Sequence, residues 1–183
     1  MFGGWPWLAY EYVIKAGGLQ LDSDYPYCML NETCWPCEAP GYNATICGPP
    51  QPYCKKSDSC HFDKSKAAVQ VATWASLSSD EEELKAQLHK NGPVSVLIDA
   101  TPLYIYWGGV VKGHLCSSDW ESLNHAVLLV GYGTEKNVWG QEVPYWIIKN
   151  SGGEDWGEKG YFRLLRSNDC TCGLCRFPTT SIL

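Results

Sequence analysis

The sequence predicts an α+β fold in which two short helices precede an antiparallel β-sheet or barrel. Helix-period apolar residues are confined to two stretches ahead of residue 92. Beyond it come short apolar or aromatic runs, and Gly-rich turns rather than helical patterns separate them. The first helix spans Trp5–Lys15: Pro6 suits a first turn, Trp7, Tyr10 and Ile14 share a face, and Gly17-Gly18 ends it. Residues 28–60 show little periodicity but hold Cys28, Cys34, Cys37, Cys47, Cys54 and Cys60 with five prolines, the pattern of a disulfide-stapled loop. A second helix runs from about Asp80 to Asn91. Ser79 and Glu82 have capping-box spacing, acids fill the first turn, Leu84 and Leu88 share a face, and Asn91-Gly92-Pro93 stops it. Strands are expected at Val94–Ala100, Ala126–Gly131, Tyr145–Asn150 and Gly160–Leu165.

A chain of 183 residues, 45% apolar with nine Trp and eleven Tyr, can bury a sizeable core as one domain or as two small ones. The net charge of −6 and the lack of any dense basic cluster exclude nucleic acid as a partner. No apolar run approaches the roughly 20 residues needed to cross a bilayer, so no membrane partner is expected. Ten cysteines point to an oxidising compartment. The sequons at Asn31 and Asn43 fit a secretory route as glycosylation sites. Met1-Phe2-Gly3-Gly4 carries no export-signal pattern, which leads to the expectation that sequence precedes Met1.

The chemistry centres on His125 and Asn150. His125 sits just before the apolar run 126–130, and Asn150 ends the run 145–150. Pairing of the two runs as a hairpin, with its turn near Thr134–Pro144, would set imidazole and carboxamide side by side at one sheet edge. An Asn oxygen there could orient the ring and select its tautomer. Spacing alone does not separate this from an ordinary strand-end histidine and a turn asparagine; the surroundings do.

Asn124-His125-Ala126-Val127-Leu128-Leu129-Val130-Gly131-Tyr132-Gly133 resembles the histidine segment of papain-like cysteine proteases of the cathepsin F and L groups. Pro144-Tyr145-Trp146-Ile147-Ile148-Lys149-Asn150-Ser151, followed by Asp155-Trp156-Gly157, resembles their asparagine segment. Asn91-Gly92-Pro93-Val94-Ser95-Val96 and the stretch from Gly17 to Tyr27 match in the same order, and Gly3-Gly4-Trp5-Pro6 resembles the glycine strip that holds substrate backbone. The resemblance covers nearly the whole chain, interrupted mainly at 28–60.

The resemblance implies a two-lobe papain-like fold, incomplete here. Residues 1–60 would be a remnant of the helical left lobe with the insert, and 61–183 the right-lobe β-barrel. It implies peptide-bond hydrolysis with His125 as general acid/base and Asn150 as its orienter, no cofactor and no metal, and protein or peptide substrates. An inhibitory propeptide and a lysosomal or extracellular location follow from the same likeness. Substrate binding would fall to Gly3, Gly4, Trp5, Pro6, Leu97, Asn124, Ala126, Trp156 and Phe177. Trp5, Pro6, Leu97 and Ala126 would line an apolar pocket for the second residue upstream of the cut, with Phe177 near its floor.

The family's nucleophilic cysteine and oxyanion-hole glutamine come before the glycine strip, so neither is expected in this chain. Cys34-Trp35 echoes the family's Cys-Trp but lacks the glutamine and follows the strip. By the same resemblance Cys116 pairs with Cys172, with Cys170 and Cys175 as alternatives, and Cys60 pairs outside the chain. Redox or zinc readings of Cys34-x2-Cys37 rank below structural disulfides. One departure from the family is Gly152, where an indole usually covers the Asn–His bond. It keeps open a second reading, a non-catalytic papain-fold binding or matrix protein.

Overall fold

The computed structural model describes residues 4–21, 23, 24 and 62–183. The insert at 28–60, with the sequons at Asn31 and Asn43, lies outside the described residues, as does Gly3. The chain forms two compact units, one of residues 1–4, 8–73 and Leu183, the other of 5–7 and 74–182. Among the described residues no helix is long and apolar enough to cross a membrane.

The first helix, α1 (Pro6–Ala16), begins on a proline, whose missing N–H would have no partner in a first turn anyway. It stops where Gly17 and Gly18 both donate to Val13 O at 3.0 Å. Gly18 has φ +138°, and a Cβ there would stand 2.5 Å from Val69 O, so only glycine serves. That close approach belongs to the bridge between Leu19 and Val69. Together with the 2.8 Å bond from Asp63 N to Gln20 Oε1, it ties residues 62–73 into the first unit. The division between units falls after Thr73.

The sheet holds seven strands: β1 (Thr73–Ser76), β2 (Val94–Ile98), β3 (Val110–Val111), β4 (His125–Lys136), β5 (Glu142–Lys149), β6 (Tyr161–Leu165) and β7 (Thr179–Ile182). Their spatial order is β1-β7-β2-β4-β5-β6-β3. The fold is α+β with a large, mainly antiparallel sheet; β3 runs parallel to β6. Alternation builds the core: Val94, Val96 and Ile98 of β2, Val127 and Leu129 of β4, Trp146 and Ile148 of β5, and Phe162 and Leu164 of β6 are buried together. Leu84 and Leu88 of α2 (Glu81–Asn91) close the same cluster. Each such side chain contributes about 1.5–3 kcal/mol through loss of water contact.

Two elements differ from the sequence pattern. β4 runs on through Gly131 and Gly133 to Lys136, because Tyr145 pairs with Gly133 and lays its ring where a Cβ would be, 2.7 Å away. The hairpin turn is accordingly tighter, with Asn137 Oδ1 accepting from Trp139 N and Gln141 N, both at 3.0 Å. The cap of α2 also differs: Asp80, not Ser79, is the N-cap, and its Oδ1 accepts from Glu82 N at 2.9 Å and Glu83 N at 3.0 Å. A carboxylate meets the helix's positive end better than a hydroxyl does.

Glu81, the first residue of α2, is 4% exposed. It accepts from Trp146 Nε1 at 3.2 Å and Cys170 N at 3.0 Å. Burial pushes its carboxyl above the usual 4.5, and these hydrogen bonds only partly oppose that.

Two outcomes follow. Asp80→Ala should cost about 1 kcal/mol in urea unfolding, while Ser79→Ala should change stability by less than about 0.5 kcal/mol. Because the folded value of Glu81 is raised, its contribution is fully present below about pH 4.5 and is lost as pH rises through the folded value. Glu81→Gln should therefore flatten the decline of the urea midpoint on the alkaline side of pH 4.5, and an unchanged slope would contradict this.

Candidate active site

His125 opens β4 and Asn150 follows the last residue of β5. Because β4 and β5 are antiparallel, the start of one lies beside the end of the other, with Leu128 opposite Lys149. A bulge between Leu129 and Gly131 shifts the register by one residue just before this edge. Asn150 is held by its own backbone, whose N–H donates to Gly160 O at 2.9 Å. The result is a 2.9 Å contact between His125 Nε2 and Asn150 Oδ1, both residues half-buried.

The neighbouring bond settles which atoms face which. Ser151 N–H can only donate, and it meets Asn150 Oδ1 at 2.8 Å. The carboxamide atom shared by Ser151 and His125 is therefore the oxygen. His125 Nε2 must then carry hydrogen, which leaves Nδ1 as the ring atom able to take up and return a proton.

The segment leading into His125 is braced from behind. Asn124 N donates to Ile98 O at 3.1 Å, and Asn124 Oδ1 accepts from Ala100 N at 2.9 Å. Asp99 accepts from Ser117 N at 2.8 Å, Thr101 N at 3.0 Å and the Thr101 hydroxyl. Burial alone would raise the Asp99 carboxyl, but bonds from the Thr101 hydroxyl and from Ser117 and Thr101 N–H outweigh it and hold the group below its usual value. Cys116 and Cys172 form a disulfide with 5.2 Å between Cα atoms, and Asp99 N donates to Cys172 O at 2.9 Å. Cys170 and Cys175 pair with each other.

A cleft of about 310 Å³ borders this edge, lined by Pro6, Ser95, Ala126, Val127, Leu128, Lys149, Asn150 and Ser151. Ser95, Ala126 and Leu128 occupy strand positions that alternate with the core residues Val94, Val96, Val127 and Leu129; Ser95 pairs with Leu128, and Leu97 with Ala126. Leu97 itself is 3% exposed. Trp5 and Phe177 join an aromatic cluster completed by Trp7 and Trp120. Trp156 is outside this ring cluster: it stacks on Tyr106 at 5.5 Å, stands edge-on to Phe162 and lies against Gly152. Exposed Gly4 has nothing within 4 Å of where its Cβ would be.

Gly152 is exposed, and a Cβ there would come within 3.1 Å of Trp156. It places no side chain over the His125–Asn150 bond. Ser151, Asp99 and Trp120 were not evident from sequence: their roles depend on a backbone N–H, on a loop fold and on ring contacts, which leave no periodic signal. Among the described residues no group of three or more His, Cys, Asp or Glu side chains is placed to hold a metal ion.

Residues 2–182 match the family model for papain family cysteine proteases. A probable cysteine protease, RD19C, of Arabidopsis thaliana is 37% identical over 174 residues, covering 94% of this chain and 39% of the relative. A cathepsin L-like proteinase of Phaedon cochleariae is 35% identical over 181 residues, covering 99% and 46%. The solved structure of digestive procathepsin L2 proteinase from Tenebrio molitor superposes with a TM-score of 0.75 at 31% identity, covering 99% of this chain and 48% of that one. The chain thus spans less than half the length of these relatives. The likeness runs through both strands that meet at His125 and Asn150, and the chain belongs to the papain family of cysteine proteases.

Proposed function

We propose that this chain is the acid–base half of a papain-like, cysteine-type endopeptidase, with the nucleophilic thiol supplied by sequence outside it. The observation that carries the reading is the double acceptance at Asn150 Oδ1, which keeps hydrogen on His125 Nε2 and turns Nδ1 toward proton exchange. In the reaction a thiolate attacks the peptide carbonyl while the imidazolium holds the thiol's proton. Collapse of the tetrahedral intermediate passes that proton from Nδ1 to the leaving amine. Water, deprotonated by the same ring, then releases the acyl group. Asn150 keeps the ring in plane for both transfers.

Support for an external nucleophile comes from the cysteines. Cys116, Cys170, Cys172 and Cys175 are all consumed in disulfides. The remaining six fall in the 28–60 stretch, after the glycine strip rather than before it. Proteins or peptides would be the substrates, and an inhibitory propeptide would precede the catalytic part, as the word procathepsin implies for the Tenebrio neighbour. The disulfides suit a lysosomal or extracellular location, with glycans at Asn31 and Asn43. The chain should show no adduct in intact-mass analysis after exposure to a thiol-directed peptidyl epoxide or fluoromethylketone. Stoichiometric labelling would overturn the assignment.

Gly152 favours a second reading, a papain-fold homologue that binds without catalysis, since glycine offers no side chain to keep water from the His–Asn bond. Gly152→Trp should slow exchange of the His125 Nε2 proton with solvent by about tenfold in imidazole NMR, consistent with the gain of a low-dielectric cover. Unchanged exchange would show that the bond is already shielded and remove the case for this second reading.

A further inference from the structure

Trp5, Trp7, Phe177 and Trp120 make a closed circuit of ring contacts. Trp5 stacks on Trp7 at 4.8 Å and on Trp120 at 5.4 Å, with interplanar angles of 20° and 10°. Phe177 completes it, tilted against Trp7 at 4.5 Å and edge-on to Trp120 at 6.1 Å. Pro6, between the two indoles of the first segment, also lines the cleft that reaches Asn150. The circuit therefore meets the cleft at Pro6.

Trp120 is held there firmly. It begins the 3-10 turn Trp120–Ser122, in which Ser122 N donates to Asp119 O at 3.1 Å and Leu123 N to Trp120 O at 3.2 Å. The preceding residues are pinned by Ser117 N to Asp99 at 2.8 Å and by Arg176 Nε to Ser118 O at 2.8 Å. Arg176 adjoins Phe177, so the indole and the phenyl ring are positioned by one bond network.

Ring spacings of 4.5–6.1 Å leave no slot for another ring. Inserting one between two stacked rings needs centroids about 7 Å apart, two contact distances of roughly 3.5 Å each. We infer that Trp120 is a specificity-determining residue: with Trp5, Trp7 and Phe177 it fills the space next to Pro6 at the cleft, so that the cleft accepts a small side chain there and rejects leucine or phenylalanine. This rests on reading the cleft as a peptide site. The rings retain 37% exposure at Trp5 and 45% at Trp120, so the filled pocket still presents an apolar rim to a small residue.

The test uses acetylated dipeptide amides with alanine, valine, leucine or phenylalanine at the residue entering the pocket and arginine after it. Dissociation constants are read from the His125 imidazole signals for wild type, Trp120→Ala and Trp120→Leu. Wild type should bind the alanine peptide about tenfold or more tightly than the phenylalanine peptide, and both variants should reverse that order. Wild type preferring phenylalanine, or a variant with native circular dichroism keeping the wild-type order, would overturn the inference while leaving peptide binding intact. Absence of binding by wild type to every peptide would overturn both the inference and the peptide-site reading. Should Trp120→Ala fail to fold, the wild-type order together with Trp120→Leu decides the matter.

Discussion

Asn150 Oδ1 accepts from Ser151 N–H and from His125 Nε2 at once, and the chemistry open to this chain depends on that shared oxygen. The arrangement exists because β4 and β5 pair antiparallel, which brings the first residue of one strand to the residue after the last of the other. The bulge between Leu129 and Gly131 resets the register by one just ahead of the site. A proton can then be held and returned at Nδ1 only because Nε2 is already committed.

The core is what keeps those strands paired. Trp146, Ile148, Phe162 and Leu129 are fully enclosed, and α2 closes their face with Leu84 and Leu88. One polar cost is accepted there. Glu81 is buried so that its carboxylate can receive Trp146 Nε1 and the amide of Cys170, linking α2 to β5 and to the C-terminal loop. Its raised ionisation range is the physical signature of that burial.

The same C-terminal loop reaches the site by covalent and aromatic routes. Cys172 is bonded to Cys116 and its carbonyl receives Asp99 N, while Arg176 holds Ser118 and Phe177 meets Trp7 and Trp120. The segment entering His125 is thus clamped along its length. A change in the loop should be felt at the pocket before it is felt at the imidazole, because the ring contacts are direct and the imidazole is anchored separately by Asn150.

Local pattern made much of this legible. Helical spacing and glycine stops outlined α1 and α2 to within about a residue, and apolar runs marked the centres of β2, β4, β5 and β6. The short strands β1, β3 and β7, two to four residues each, carry too few alternations to register. The full length of β4 was hidden because a glycine at 133 interrupts the strand pattern until the Tyr145 ring is seen across it. The cap passed from Ser79 to Asp80 because two adjacent residues both suit the role and only backbone direction separates them. By itself the sequence determined that His125 and Asn150 stand at the ends of two apolar runs. Only the tertiary structure decided that one oxygen serves both Ser151 and His125, and that rings from residues 5, 7, 120 and 177 meet. The reason is physical: periodicity records which way neighbouring side chains point, whereas shared lone pairs and ring contacts arise between residues that only folding brings together.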